Sequence, residues 1–142
     1  RSVSRGLGDV YKRQLDGMPK SLSALIVAQR YQDKTGAVGF EWENFSQAMD
    51  KVDEELGELK QAINNNDLNN IEEEIGDLLI TIVNLARFFD ISADLALRKT
   101  NQKFYRRFNF IEKIVQKNNQ KIEDISLREL LNYWDKAKHE KK

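Results

Sequence analysis

Two pairs of carboxylates stand out in the chain, Glu55-x-x-Glu58 in KVDEELGELKQAI and Glu74-x-x-Asp77 in IEEEIGDLLITIVNLAR. Residues three apart share one edge of a helix, so each pair presents two acidic groups side by side. Convergent carboxylates repel one another. Without a cation they are destabilising or take up protons. A set of oxygen donors with no histidine or cysteine nearby suits Mg²⁺ or Mn²⁺ better than zinc. One such pair alone describes an ordinary solvated face. Two pairs in matching positions on consecutive apolar helices describe a candidate cation site. A ferritin-like di-iron centre requires Glu-x-x-His, and the single histidine, His139, lies far along the chain near a lysine-rich end.

A second constellation is basic. In KTNQKFYRRFNFIEK, residues 99–113, Lys99, Lys103, Arg106 and Arg107 recur at helical spacing beside Phe104, Phe108 and Ile111. Lysine meets phosphate oxygens as a point charge and arginine as a fork. A plain surface helix with anchored aromatics is the bland alternative. Binding of single-stranded nucleic acid, with the aromatics as stacking platforms, is another. The spacing disfavours the latter, because it puts Phe104 and Phe108 on the core side with Ile111. Acid on one flank and base on another is what a metal–triphosphate site needs.

The composition narrows the field. The chain has 142 residues, with 23 Lys+Arg against 23 Asp+Glu. Zero net charge argues against bulk attraction to nucleic acid or an anionic membrane, so neither is expected as a partner. There is no cysteine, which removes disulfides and thiol chemistry and fits a reducing, cytoplasmic location. The longest apolar run, Leu78 to Val83, is far too short to span a bilayer and contains a threonine.

Helical spacing dominates the chain and predicts an all-α fold: four main helices and a short last one. The first helix is expected over about residues 21–35, with Pro19 just before it. The second runs over about 44–64, where Phe45, Met49, Val52, Leu56, Leu59 and Ile63 recur at spacings of 4, 3, 4, 3 and 4 and predict one buried face. NNNDLNN predicts a turn. The third helix covers about 70–89, with the stripe Ile71, Ile75, Leu78, Ile82, Leu85 and Phe89. The fourth, cappable by Ser92, reaches about Lys117, and Ser126 with Glu129 makes a capping box for the last, ending near Lys138. At about 100° per residue, Glu55 and Glu58 fall on one side of the second stripe, with Lys51 on the same edge and Glu54 on the outer side. Glu74 and Asp77 hold the matching side of the third. Helices joined by a short link pack antiparallel, so the two acidic edges can meet at the rim of the core. Leu79, Ile80 and Val83 lie outside the main stripe of the third helix, which predicts a second partner for it and hence a homodimer.

Taken together, KVDEELGELKQAI, IEEEIGDLLITIVNLAR and KTNQKFYRRFNFIEK resemble the MazG nucleoside triphosphate pyrophosphohydrolases. The lead-in LDGMPKSLSALIVAQRYQDKTGAVGFEW resembles that of the second, catalytic MazG domain. The likeness covers roughly residues 15–138. The E-x-x-E…E-x-x-D pattern is shared with dimeric dUTPases, dCTP pyrophosphatases and phosphoribosyl-ATP pyrophosphohydrolases, while NLAR and N-x-KF-x-RRF narrow it to MazG. The resemblance implies a dimeric MazG-like helical bundle in which Glu55, Glu58, Glu74 and Asp77 hold Mg²⁺, or Mn²⁺ in its place. It further implies that Lys51, Glu54, Lys103, Arg106 and Arg107 lie in or near the nucleotide site and that Trp134 is associated with the base, for which simple anchoring of the last helix is the equal alternative. Asn84 and Asn101 match the motif without a role of their own. Asn70 departs from it, since some relatives carry lysine there.

The implied reaction is NTP + H₂O → NMP + PPi, with NTP or dNTP as substrate. Lys103 and Arg107 would stabilise charge on the pyrophosphate leaving group, and Glu54 or Glu55 would take the proton of water. Restriction to dUTP or dCTP, and a non-catalytic helical interaction module, remain the alternatives. The opening RSVSRGLGDVYKRQ, residues 1–14, shows no period that continues into Leu15 and beyond, and reads as a non-native or disordered leader. Residues 15–142 are expected to form one catalytic domain, and the natural protein is expected to extend further upstream.

Overall fold

The computed structural model describes residues 13–140, so the leader assigned to residues 1–14 lies almost wholly outside the described residues. Five α-helices and one 3₁₀ turn, with no strand, make up the described secondary structure. The first helix, α1, spans Ala24–Ala37, and the Ser23 hydroxyl caps it by accepting from the Ile26 amide at 3.4 Å. Its C-terminal end passes through Gly39, whose φ of +95° suits a residue without Cβ.

Helix α2, Phe45–Asn64, starts from a reciprocal pair of contacts. Asn44 Oδ1 accepts from the Gln47 amide at 3.0 Å, and Gln47 Oε1 accepts from the Glu43 amide at 2.7 Å. Helix α3, Leu68–Arg87, comes three residues later. It begins two residues earlier than the periodicity predicts, because Asp67 caps it by accepting from the Asn70 amide at 3.3 Å. Asn66 takes the left-handed backbone that closes the turn, with φ +53°, a conformation asparagine tolerates. Helix α4 spans Ala93–Lys117, immediately after Ser92. The 3₁₀ turn covers Ile122–Asp124, and α5 covers Leu127–Lys138. Ser126 caps α5 by accepting from the Glu129 amide at 3.2 Å. The Glu129 carboxylate accepts from the Tyr133 hydroxyl at 3.3 Å.

The described residues fall into two compact units, one up to Asp94 and the other from Leu95. In the first, α2 and α3 form a hairpin whose far ends meet where the rings of Phe45 and Phe89 lie 5.6 Å apart. Helix α1 packs on α3. Gln32 donates from Nε2 to the Ile80 carbonyl at 3.1 Å, and Gln29 ties down the start of α4 by donating to the Ile91 carbonyl and accepting from the Ala93 amide. In the second unit Ile111, Val115 and Ile125 are buried, with Ile122, Leu130, Tyr133 and Trp134 packed against them.

The burial corrects the helical-wheel expectation. On α2 the buried line is Ala48, Glu55 and Ala62, one residue every seven, while Phe45, Met49, Leu56 and Ile63 remain exposed. Helices approach most closely where side chains are small, so the two alanines, not the large apolar residues, mark the contact line. Of the stripe expected on the third helix, Ile75 and Ile82 on α3 and Phe89, two residues past its end, are exposed. So are Leu79 and Ile80, but Val83, expected with them on a face for a second partner, is only 2% exposed. It sits in sequence between Ile80 and Arg87, the two residues through which α1 bonds to α3.

Candidate active site

The hairpin brings the predicted carboxylates together. Glu55 from α2 meets Glu74 and Asp77 from α3, with one oxygen of each within 4.8 Å of the others. Glu55 also belongs to a second group of the same tightness with Glu54 and Glu58. Glu55 is therefore the shared member, and at 6% exposure it is the one buried charged residue of the described core. This revises the placement of Glu55 at an edge: it lies on the contact line itself, flanked by Ala48 and Ala62. Glu54, expected on the outer side, joins the acidic group because one helical turn separates it from Glu58.

Charge at this place is unbalanced. Lys51 Nζ lies 2.8 Å from Glu54 and 3.0 Å from Glu55, and those hydrogen bonds, Glu54's first, hold the ammonium pKa well above the ordinary lysine range. Glu58 is pushed up, chiefly by the charge of Glu55. Glu74 is pushed up by desolvation first, then by the charges of Glu58, Asp77, Glu55 and Glu73. Its Oε2 is buried and has no hydrogen-bond partner. A buried carboxylate oxygen without a donor, facing an all-oxygen set, is what a hard divalent cation satisfies. The residues present therefore fit Mg²⁺ or Mn²⁺, with Glu55, Glu74 and Asp77 as the inner candidates and Glu58 beside them.

Beside the carboxylates, a cleft of about 350 Å³ opens among α1, the 38–44 segment, α2 and α3. Lys51 lines it, together with Gln32, Thr35, Phe40, Trp42, Thr81 and Asn84. Arg87 fixes its frame. The guanidinium, 13% exposed, pairs with Asp33 at 2.7 Å and Glu41 at 3.2 Å, and donates to Asn84 Oδ1 at 2.9 Å. It thereby ties α1, the 38–44 segment and α3 together. Gly36 leaves room for this arrangement, since a Cβ there would lie 2.6 Å from both Arg87 Nη2 and Glu41 Oε1. Sequence reasoning gave no role to Gln32, Trp42 or Arg87. The local signals were that Arg87 closes the NLAR segment and Trp42 the GFEW segment.

The basic strip lies in the second unit. Lys99, Lys103 and Arg106 are exposed, and the Arg107 guanidinium sits 5.6 Å above the Trp134 ring. Phe104 meets Trp134 edge-on at 5.1 Å yet is 60% exposed, and Phe108 is also exposed, so neither is a core residue as the spacing predicts. Asn101 is exposed and Asn84 half-buried. Among the described residues, no helix is long and apolar enough to cross a membrane.

The described residues form an all-helical chain whose central hairpin joins acidic oxygens that could hold a cation, a lysine and an adjoining cleft. Residues 43–111 match the family model described as the MazG nucleotide pyrophosphohydrolase domain. The chain is 42% identical over 115 residues to the nucleoside triphosphate pyrophosphohydrolase/pyrophosphatase MazG of Thermotoga maritima, covering 81% of this chain and 44% of that protein. It is 39% identical over 130 residues to the nucleoside triphosphate pyrophosphohydrolase of Escherichia coli K12, covering 89% of this chain and 49% of that one. A shorter match, 40% over 70 residues, joins 49% of this chain to 14% of the uncharacterized protein YabN of Bacillus subtilis. The chain thus spans about half or less of the curated relatives it matches.

Proposed function

We propose that this chain hydrolyses nucleoside triphosphates to nucleoside monophosphate and pyrophosphate with the help of Mg²⁺ or Mn²⁺. The observation that carries the reading is the meeting of Glu55, Glu74 and Asp77, together with the buried, unpartnered Oε2 of Glu74. The names of two relatives that match most of the chain support it. Glu55, Glu58, Glu74 and Asp77 would hold the cation, which when bound neutralises phosphate charge and makes water more acidic. Lys51, between those carboxylates and the cleft, offers an ammonium to a phosphate oxygen at the cleft mouth. Glu54 and Glu58 are the exposed carboxylates of their group; with Glu55 and Glu58 given to the cation, we assign Glu54 the proton of the attacking water. Lys103, Arg106 and Arg107 would take the triphosphate, with Lys103 and Arg107 stabilising charge on the pyrophosphate as it leaves. Trp134 would contact the base. The chain would act as one catalytic domain, and as a homodimer.

Incubation of the chain with each NTP and dNTP plus Mg²⁺, with pyrophosphate measured, tests the reading. Release from several nucleotides is expected. Release from dUTP or dCTP alone would mean a substrate-restricted enzyme, and no release from any would leave a helical interaction module.

A further inference from the structure

Lys51 faces two ways. Its ammonium lies 2.8 Å from Glu54 and 3.0 Å from Glu55, one turn further along α2. The same residue lines the cleft of about 350 Å³, and also a smaller groove of about 200 Å³ that it shares with Trp42 and Glu54. Helix stability does not account for the ion pairs. A lysine that precedes its glutamates is the weaker order for such pairs, because it runs against the helix dipole. Glu54 is exposed, where solvent leaves an ion pair with little worth. Glu55 is different. It is buried, and it is the member common to both acidic groups. A buried carboxylate needs a positive partner, and Lys51 supplies one.

Glu55 is also the α2 carboxylate that a divalent cation would share with Glu74 and Asp77. Two cations thus converge on one group and repel each other. The ammonium carries a single charge on a flexible four-carbon stem, with open cleft beside it. A divalent cation carries two charges and draws on α2 and α3 together, so the ammonium is the one that gives way. We infer that Lys51 is the internal rival of the divalent cation for Glu55, and that uptake of the cation moves the ammonium off Glu55 and into the adjoining cleft. The inference rests on the cation and nucleotide reading of these carboxylates and deepens it by coupling two events. Loading the cation frees the charge that meets a phosphate, so Lys51 holds cation affinity below what the carboxylates alone would give and makes the cation enter first.

Two measurements on the whole chain, with Mg²⁺ as the sole ligand, test this. In the first, the parent chain is trace-acetylated and each lysine is read by mass spectrometry, the other lysines serving as references. Lys51, whose proton is held by both carboxylates, is expected to react slowly without Mg²⁺ and several-fold faster as Mg²⁺ saturates. In the second, titration calorimetry of Lys51→Met is expected to show Mg²⁺ bound about tenfold more tightly than by the parent, since the variant has no charged hydrogen bond to break. Lys51 reactivity that Mg²⁺ leaves unmoved would overturn the inference. So would a folded Lys51→Met chain that bound Mg²⁺ no more tightly than the parent. A parent chain that bound neither Mg²⁺ nor Mn²⁺ would overturn the cation reading and this inference with it. Neither readout uses turnover. A chain that freed Lys51 with Mg²⁺ yet released no pyrophosphate from any NTP would overturn the hydrolase reading and leave the exchange standing. A chain that hydrolysed NTPs with Lys51 unmoved by Mg²⁺ would overturn the exchange alone.

Discussion

At the scale of single residues, Glu74 is the most informative group in the molecule. It is held by the hairpin against Glu55 and Asp77, one of its oxygens is sealed from water without a donor, and every charge that bears on it is negative. Such a group is destabilising in the metal-free chain and becomes an asset once a cation is bound. Glu74→Gln removes the charge and keeps the shape. We expect the metal-free variant to melt at least as high as the parent. We also expect Mg²⁺, which at about a hundredfold over its Kd would stabilise the parent by about 2.7 kcal/mol, to leave the variant's melting temperature unmoved. Pyrophosphate release should be abolished with the helical circular dichroism retained. A variant that kept the full Mg²⁺-dependent shift would remove Glu74 from the cation site. The positions of Glu55, Glu58, Glu74 and Asp77 were legible in the sequence because a three-residue spacing on a helix is a local property. Gln32, Trp42 and Arg87 were not, because their roles depend on partners in other elements, and nothing in the spacing of one helix records those.

At the scale of elements, the chain was largely readable and its packing was not. Asn44, Asp67 and Ser126 begin helices as capping chemistry predicts, and each boundary falls within a few residues of its expected place. What the wheel misjudged was the direction each helix faces, since hydrophobicity locates apolar surface but not which part of it the same chain covers. Arg87 and Gly36 show how that choice is enforced between α1 and α3. The guanidinium is nearly buried, and its two carboxylate partners come from separate elements, α1 and the 38–44 segment. Arg87→Ala would leave Asp33 and Glu41 without their cation and open a gap between the elements. Because both carboxylates are themselves about half exposed, we expect a loss of about 1–3 kcal/mol in urea unfolding, below that for a fully buried pair. Gly36→Ala forces the same clamp apart from the other side, and a loss of about 1–3 kcal/mol is expected for overpacking there. Combined, the two substitutions should cost less than their sum, because both act on one contact. Strict additivity would show that Gly36 serves the helix backbone alone.

At the scale of the whole molecule, the exposed apolar residues of the hairpin carry the homodimer proposal. Phe45, Met49, Leu56 and Ile63 on α2, Ile75, Leu79 and Ile82 on α3, and Phe89 just past its end are all more than a third exposed. The contact between Phe45 and Phe89 joins the two rows at one end of the hairpin. An apolar surface running along two neighbouring helices exceeds the scattered exposure normal for a monomer. Two such hairpins, related by a twofold axis, would bury these faces against each other as a four-helix bundle. Glu55, shared by both acidic groups, lies on the Ala48–Glu55–Ala62 line, so a dimer formed through the large apolar residues would leave it in place. Light scattering at micromolar concentration should therefore give twice the chain mass. Ile82→Glu puts a charge into the middle of the α3 row and replaces none of the carboxylates. It should yield a monomer that still shifts its melting temperature with Mg²⁺ if the cation site is complete within one chain. Loss of the shift along with the dimer would instead show that the cation site depends on assembly. A parent chain that ran as a monomer, with Ile82→Glu no different from it, would mean that these residues face some other surface and that the homodimer is wrong.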